Sequence, residues 1–259
     1  MSGWTIEVRD GRNVYAVRTP RAGIVIVTTA LLLGGCGMDA PRQSPPVLEF
    51  PPAPLQLVPE SAAKPDKAAD AVPLADLARP EWLRDVSEST AIPERALAAY
   101  AGASLRLAQT RPECGVGWNT LAGIGAVETI HGSYGGASAS TDGTVRPSII
   151  GIALDGSEGV KEILDTDKGE LDGDEEYDRA VGPMQFIPTT WKDYAEDGNL
   201  DGETDPNQID DAALTAALYL CDSGGDVTTD DGWSTALGTY NQSVSYAHKV
   251  AELAESYTP

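Results

Sequence analysis

In the run GIGAVETIHGSYGG, residues 123–136, one glutamate stands among glycines, alanines and short aliphatics. Helical spacing puts Leu121, Ile124 and Glu128 on one face, so Glu128 fills a slot where the pattern expects an apolar side chain. A carboxyl group there loses hydration, its pKa rises towards neutrality, and it can hold a proton at working pH as a general acid requires. Gly132, Gly135 and Gly136 follow and would let a polymer approach the backbone closely. The alternative on spacing alone is a helix-end glutamate that accepts hydrogen bonds from loop amides. A second cluster, RAVGPMQFIPTTW, turns at Gly182 and Pro183 and presents Met184, Gln185 and Phe186. The Gln185 amide both donates and accepts, which suits a sugar acetamide; a tight turn packed by Met184 and Phe186 is the plainer reading. In TYNQSVSYAHKV, Tyr240 and Asn241 end one helix and Tyr246 lies on the next. Aromatic faces beside amides grip saccharides, although capping and core packing also use them.

Two acidic runs offer hard oxygen ligands. DGNLDGETDPNQIDDA runs D-x-N-x-D-G from Asp197, the opening of an EF-hand loop. Asp197, Asn199 and Asp201 take the first three ligand positions, Gly202 the sharp turn, and the Glu203 carbonyl the next, while Gln208 stands where a closing glutamate is usual. A solvated acidic turn is the other reading. DTDKGELDGDEEYD, from Asp165, also alternates carboxylates, but Gly169 and Glu170 depart from the pattern. It reads as the weaker cation candidate, a solvated loop flanking a groove.

The elements that position these groups read as helices. IPERALAAYAGASLRLAQ begins with Pro93 and Glu94 in its first turn. NTLAGIGAVETI carries Glu128, with Asn119 as its expected N-cap; TTWKDYAED is capped by Thr189, and DDAALTAALYL starts at Asp210 or Asp211. WSTALGTY and SVSYAHKVAELAESY complete the set, and no two-residue alternation persists, so a mainly α domain with long ordered loops is expected from residue 89 to 259.

Residues 1–35 read as a signal peptide: Arg18 and Arg21 precede the apolar run AGIVIVTTALLLGG, too short to span a bilayer comfortably. Glu7 and Asp10 are unusual before such a run, which leaves a downstream start codon open. LLLGGCG resembles a bacterial lipoprotein processing site with Cys36 as the lipidated residue. Residues 36–88, rich in Pro and Ala, are expected to be a disordered, partly polyproline II tether. With Cys36 acylated, Cys114 and Cys221 remain as an even pair in an oxidising compartment, where a disulfide is the default and two buried free thiols the alternative. The net charge of −22 excludes a basic nucleic-acid surface and charge-driven binding to anionic membranes.

AVETIHGSYGG, AVGPMQFIPTTW and TYNQSVSYAHKV, in that order over roughly residues 91–257, closely resemble the soluble domain of bacterial lytic murein transglycosylases of the membrane-bound type B kind, here in an actinobacterial lipoprotein form. The resemblance implies a lysozyme-like fold and cleavage of the β-1,4 bond between N-acetylmuramic acid and N-acetylglucosamine, with a 1,6-anhydro ring in the product. It implies Glu128 as the single acid and base, and Gln185, Tyr240, Asn241 and Tyr246 as residues that hold the glycan and orient the muramic acetamide. It also implies a longer EF-hand-like Ca²⁺ loop closed by Asp211, so Asp197, Asn199, Asp201, Glu203 and Asp211 are the expected ligands of a structural Ca²⁺, with no organic cofactor. The expected partners are peptidoglycan strands and, through the lipid, the outer face of the cytoplasmic membrane. The protein is expected to be monomeric and to bind no nucleic acid. A hydrolytic muramidase and a non-catalytic peptidoglycan-binding lipoprotein are the alternatives.

Overall fold

The computed structural model describes residues 5–9, 12–16, 49–62 and 69–257. The apolar run, Cys36 and the expected tether up to residue 48 lie outside the described residues. The chain divides into two units, residues 1–45 and 46–259. In the first, β1 (Thr5–Arg9) and β2 (Arg12–Ala16) pair antiparallel, with Arg9 opposite Arg12.

The second unit is mainly helical, as expected, with seven α-helices among the described residues. They are α1 (Pro80–Thr90), α2 (Glu94–Thr110), α3 (Trp118–Thr129), α4 (Pro188–Tyr194), α5 (Ile209–Gly224), α6 (Asp230–Tyr240) and α7 (Val244–Ser256). Alanine-rich α2 is buried from Ala96 to Leu107 and packs against α3 and α5, whose small residues allow the helices to lie close. Trp118, Trp233 and Tyr100 are the largest side chains fully inside. Gly125 makes room for the last of these, since a Cβ there would come within 2.1 Å of the Tyr100 hydroxyl. Strands are short: β3 (Ser138–Ala139) pairs with β4 (Val145–Arg146), and β5 (Ile150–Ala153) with β6 (Arg179–Val181). No described helix is long and apolar enough to cross a membrane.

Two expectations about element ends are corrected. Asn119 does not cap α3; the helix starts at Trp118 after Gly117. The Asn119 amide is buried and instead accepts from the Leu57 N–H at 2.9 Å and donates to the carbonyls of Leu55 at 2.9 Å and Ala254 at 3.1 Å. Thr189 lies inside α4, after Ile187 and the first-turn Pro188, and its hydroxyl donates to Thr166 at 3.0 Å.

The tether is corrected too. Within residues 36–88, the described stretches 49–62 and 69–88 are packed on the helices, because their sparse apolar groups find matching sites. Leu74, Leu77, Leu83 and Val86 are buried, Gln56 accepts from the Gly117 N–H at 2.8 Å, and Phe50 lies against Gly238. The folded unit therefore begins well before residue 89. Cys114 and Cys221 form a disulfide with Cα atoms 5.3 Å apart, joining the loop before α3 to the end of α5.

Candidate active site

Glu128 occupies the last turn of α3, and the chain then reverses sharply through Ile130, His131 and Gly132, all at positive φ. Such a run is costly for side-chain-bearing residues, and Thr129 holds it. Its hydroxyl donates to the Pro183 carbonyl at 2.6 Å and accepts from the Gly132 N–H at 2.9 Å. Thr129 thus ties the Glu128 turn to the Gly182–Phe186 turn. Sequence reasoning passed over Thr129: a Ser/Thr beside a helix end signals a cap, but not a carbonyl 54 residues away.

Glu128 is half-buried, and loss of hydration lifts its carboxyl pKa to about 7, against a smaller lowering by the Tyr246 hydrogen bond. The Tyr246 hydroxyl donates to Glu128 Oε1 at 2.6 Å, a charge-assisted bond when Glu128 is ionised. Tyr246 is itself buried in α7, and burial followed by the nearby Glu128 charge pushes its own hydroxyl well above the ordinary range, so it remains a donor. No neighbouring carboxylate contributes to the Glu128 shift.

The Gly182–Phe186 turn is closed by reciprocal bonds between Val181 and Phe186 at 2.8 and 3.0 Å. Only glycine fits at 182, where φ is +75° and a Cβ would lie 1.9 Å from the Pro206 carbonyl oxygen. Met184 and Phe186 face the core, while Gln185 alone of the three stays partly exposed. Its side-chain N–H donates to the Gly182 carbonyl at 2.9 Å. Tyr240 donates to the Met184 carbonyl at 2.8 Å, and its ring lies 5.8 Å from Phe186 and 5.9 Å from Tyr219. The Asn241 side chain accepts from the Ser243 N–H at 3.0 Å, so part of its amide shapes the turn into α7.

Gln185, Tyr240 and Asn241 line one open cavity of about 760 Å³ with an aromatic and threonine-rich wall. Its lining does not include Glu128 or Tyr246, but Thr129, next to Glu128, bonds the Pro183 carbonyl, and Tyr240 of the cavity wall bonds the adjoining Met184 carbonyl. The sequence-selected residues therefore fall into two adjoining groups. Glu128 and Tyr246 form the proton-handling pair, and Gln185, Tyr240 and Asn241 form the cavity wall.

Both acidic runs fold their leading carboxylate onto nearby backbone amides, Asp165 onto those of Asp167, Lys168 and Gly169. In the loop from Asp197, the carboxylates turn onto their own backbone. Asp197 accepts from the N–H groups of Leu200, Asp201 and Gly202, and buried Asp211 accepts from Gly198 at 2.8 Å and Asp205 at 2.9 Å. Asn199 and Asp201 bond each other at 2.8 Å, and Asp201 accepts from the Glu203 N–H at 2.9 Å. Desolvation raises the Asp211 pKa to about 7, against those amide bonds. Among the described residues, the carboxylates close enough to share one ion are Asp165, Asp167 and Asp178, with oxygens within 4.8 Å of one another. An all-oxygen set suits a hard divalent cation, and the fold gathers these three carboxylates from the run that reads as the weaker candidate in sequence.

Residues 165–236 match the transglycosylase SLT domain family. The match spans the Asp165 run, the Gly182–Phe186 turn, the Asp197 loop and helices α4 and α5; Glu128 precedes it. No curated protein matches the chain. Among solved structures, the chain is similar to the Escherichia coli lytic transglycosylase Slt35 in complex with bulgecin A, at 17% identity over 68% of this chain and 77% of that one, with a TM-score of 0.41. It is also similar to SltB3 from Pseudomonas aeruginosa in complex with NAG-anhNAM-pentapeptide, at 18% identity over 70% and 67%, with a TM-score of 0.36.

Proposed function

We propose that this chain is a peptidoglycan lytic transglycosylase that cleaves the MurNAc-β-1,4-GlcNAc bond and leaves 1,6-anhydro-MurNAc, with Glu128 as general acid and base. The observation that carries this reading is the Glu128–Tyr246 pair, a carboxyl with a pKa of about 7 beside a saccharide-sized cavity. The SLT-family match over residues 165–236 supports the same substrate class.

Two-carboxylate glycosidases place a second acid opposite the first; here Glu128 works without one. Protonated Glu128 gives its proton to the glycosidic oxygen as the C1–O bond breaks. The muramic acetamide carbonyl oxygen bonds to C1 and takes up the positive charge. Glu128, now a carboxylate, removes the proton from the C6 hydroxyl, O6 bonds to C1, and the acetamide is released. No water enters, and Glu128 ends protonated as it began. Tyr246 holds the carboxyl in place and steadies it while it is charged. Gln185, Tyr240 and Asn241 hold the sugar and orient its acetamide.

Digestion of purified peptidoglycan by the full chain, with products weighed by mass spectrometry, tests the reading. Muropeptides lighter by one water than hydrolysis products are expected, and Glu128→Gln abolishes them without unfolding the protein. Hydrated ends point to a muramidase, and an absence of products to a binding protein. We further propose a structural Ca²⁺ held by Asp197, Asn199, Asp201, the Glu203 carbonyl and Asp211, with the carboxylates of Asp165, Asp167 and Asp178 as a second hard-cation set. Chelation is then expected to lower the thermal midpoint, and an unchanged midpoint would count against it. Lipidation at Cys36 and action at the outer face of the cytoplasmic membrane belong to the same proposal. Labelling with a radioactive fatty acid, lost in Cys36→Ala, is the expected check.

A further inference from the structure

The cavity beside Glu128 carries a group that a glycan alone does not call for. N-acetyl sugars present neutral hydroxyls and acetamides, and the wall answers these with Thr189, Thr190, Asn241 and Gln242. Lys161 lines the same cavity. Its ammonium is a point charge whose natural partner is a carboxylate. The chain has 40 acidic residues against 18 basic ones, so acids to pair with are plentiful. Yet Lys161 has no carboxylate within 4.0 Å among the described residues.

Its placement is built into the fold. The segment carrying it folds back on Leu154: Ile163 N–H donates to the Leu154 carbonyl at 2.8 Å, Asp155 bridges Glu162, and Leu154 N–H donates to the Asp178 carbonyl at 3.1 Å. Glu162, the other charged residue of the wall, lies over Gly156. A Cβ on that glycine would meet its Cβ, Cγ and Cδ atoms at 3.1, 3.6 and 3.8 Å. Lys161 is left as an exposed cation in the cavity wall, alongside hydroxyl and amide groups that suit a neutral sugar.

Peptidoglycan supplies the missing anion. Its muramic residues bear peptide stems that branch from the lactyl ether and carry carboxylates. We propose that Lys161 pairs with a stem carboxylate, so that the cavity binds the peptide branch beside the sugar and favours strands that still carry stems. This rests on the peptidoglycan reading above.

The test compares equilibrium binding of a disaccharide–pentapeptide with that of the same disaccharide lacking its peptide, by calorimetry on the full chain, which needs no turnover. Lys161 is exposed, so substitution leaves the core untouched. Lys161→Ala is expected to reduce the affinity ratio, with over without peptide, by about fivefold, the size of a partly screened ion pair. Lys161→Glu should reduce it further, and Lys161→Arg should keep it within about twofold of wild type. High salt should narrow the wild-type ratio. An unchanged ratio in the Ala and Glu variants overturns the proposal, as does an equal loss for both ligands. If the wild-type chain binds the pentapeptide ligand but cuts no strands, the enzymatic reading fails and the ratio still decides the role of Lys161. If it binds neither ligand, both fall.

Discussion

Glu128 is held in a state that suits its chemistry and works against stability. Its pKa of about 7 results from lost hydration, with Tyr246 pulling the other way. Removing that hydroxyl should therefore raise the pKa. In Tyr246→Phe the alkaline limb of the kcat/KM profile, which reports the free enzyme's acid, is expected to move up by about one pH unit. A limb that stays or moves down would remove Tyr246 from its positioning role. The stability consequence has a definite sign. The folded pKa exceeds the ordinary value of 4.5, so the folded state binds the extra proton between the two values. Stability from this site is full below about pH 4.5 and is lost as pH rises through about 7. Glu128→Gln, which never ionises, is expected to be more stable than wild type above pH 7 by roughly 1–3 kcal/mol, and equal to it near pH 4. Denaturant titrations at the two pH values check this, and a gain that does not depend on pH would refute the linkage.

At the scale of elements, helices were legible because their cause is local. Apolar spacing placed α2, α3 and α7 within a residue or two of where they lie, and α5 at the right start but four residues short at its end. Glu128 was legible for the same reason, as a polar residue in an apolar slot. What lies between elements was not. Asn119 looks like a cap from its neighbours, but its partners Leu55, Leu57 and Ala254 are distant in sequence. The Pro-rich segment looked unable to fold because alone it cannot bury enough surface, whereas Leu74, Leu77, Leu83 and Val86 borrow a core made by others. Fit to an EF-hand pattern favours the Asp197 run, whereas the convergence of Asp165, Asp167 and Asp178 depends on backbone path and is invisible to spacing. A chain starting at residue 89 would lose α1 and those four buried side chains. It is expected to unfold at a thermal midpoint at least about 10 °C below that of a chain starting at residue 49, since each buried aliphatic contributes about 1.5–3 kcal/mol. Equal midpoints would restore the tether reading.

For the folded unit as a whole, the long cross-link and the acidic surface act together. The disulfide joins residues separated by 107 positions, so it restricts the unfolded chain over most of the region that forms α3 to α5. A net charge of −22 disfavours the compact state through self-repulsion. Without the bridge, that repulsion would act on a freely expanding chain. Replacing both Cys114 and Cys221 by alanine is expected to lower the unfolding free energy by about 3–5 kcal/mol. The denaturant m-value should rise, because the unfolded ensemble exposes more surface. Added salt should recover part of the loss by screening the acids, and recover less in the bridged protein. The site should survive at low temperature, because the Glu128–Tyr246 bond is set by α3 and α7, which pack directly on each other without the bridge. A loss under about 1 kcal/mol with an unchanged m-value would mean that the unfolded chain is already compact when reduced. In that case the stability of the unit would rest on its helical core alone.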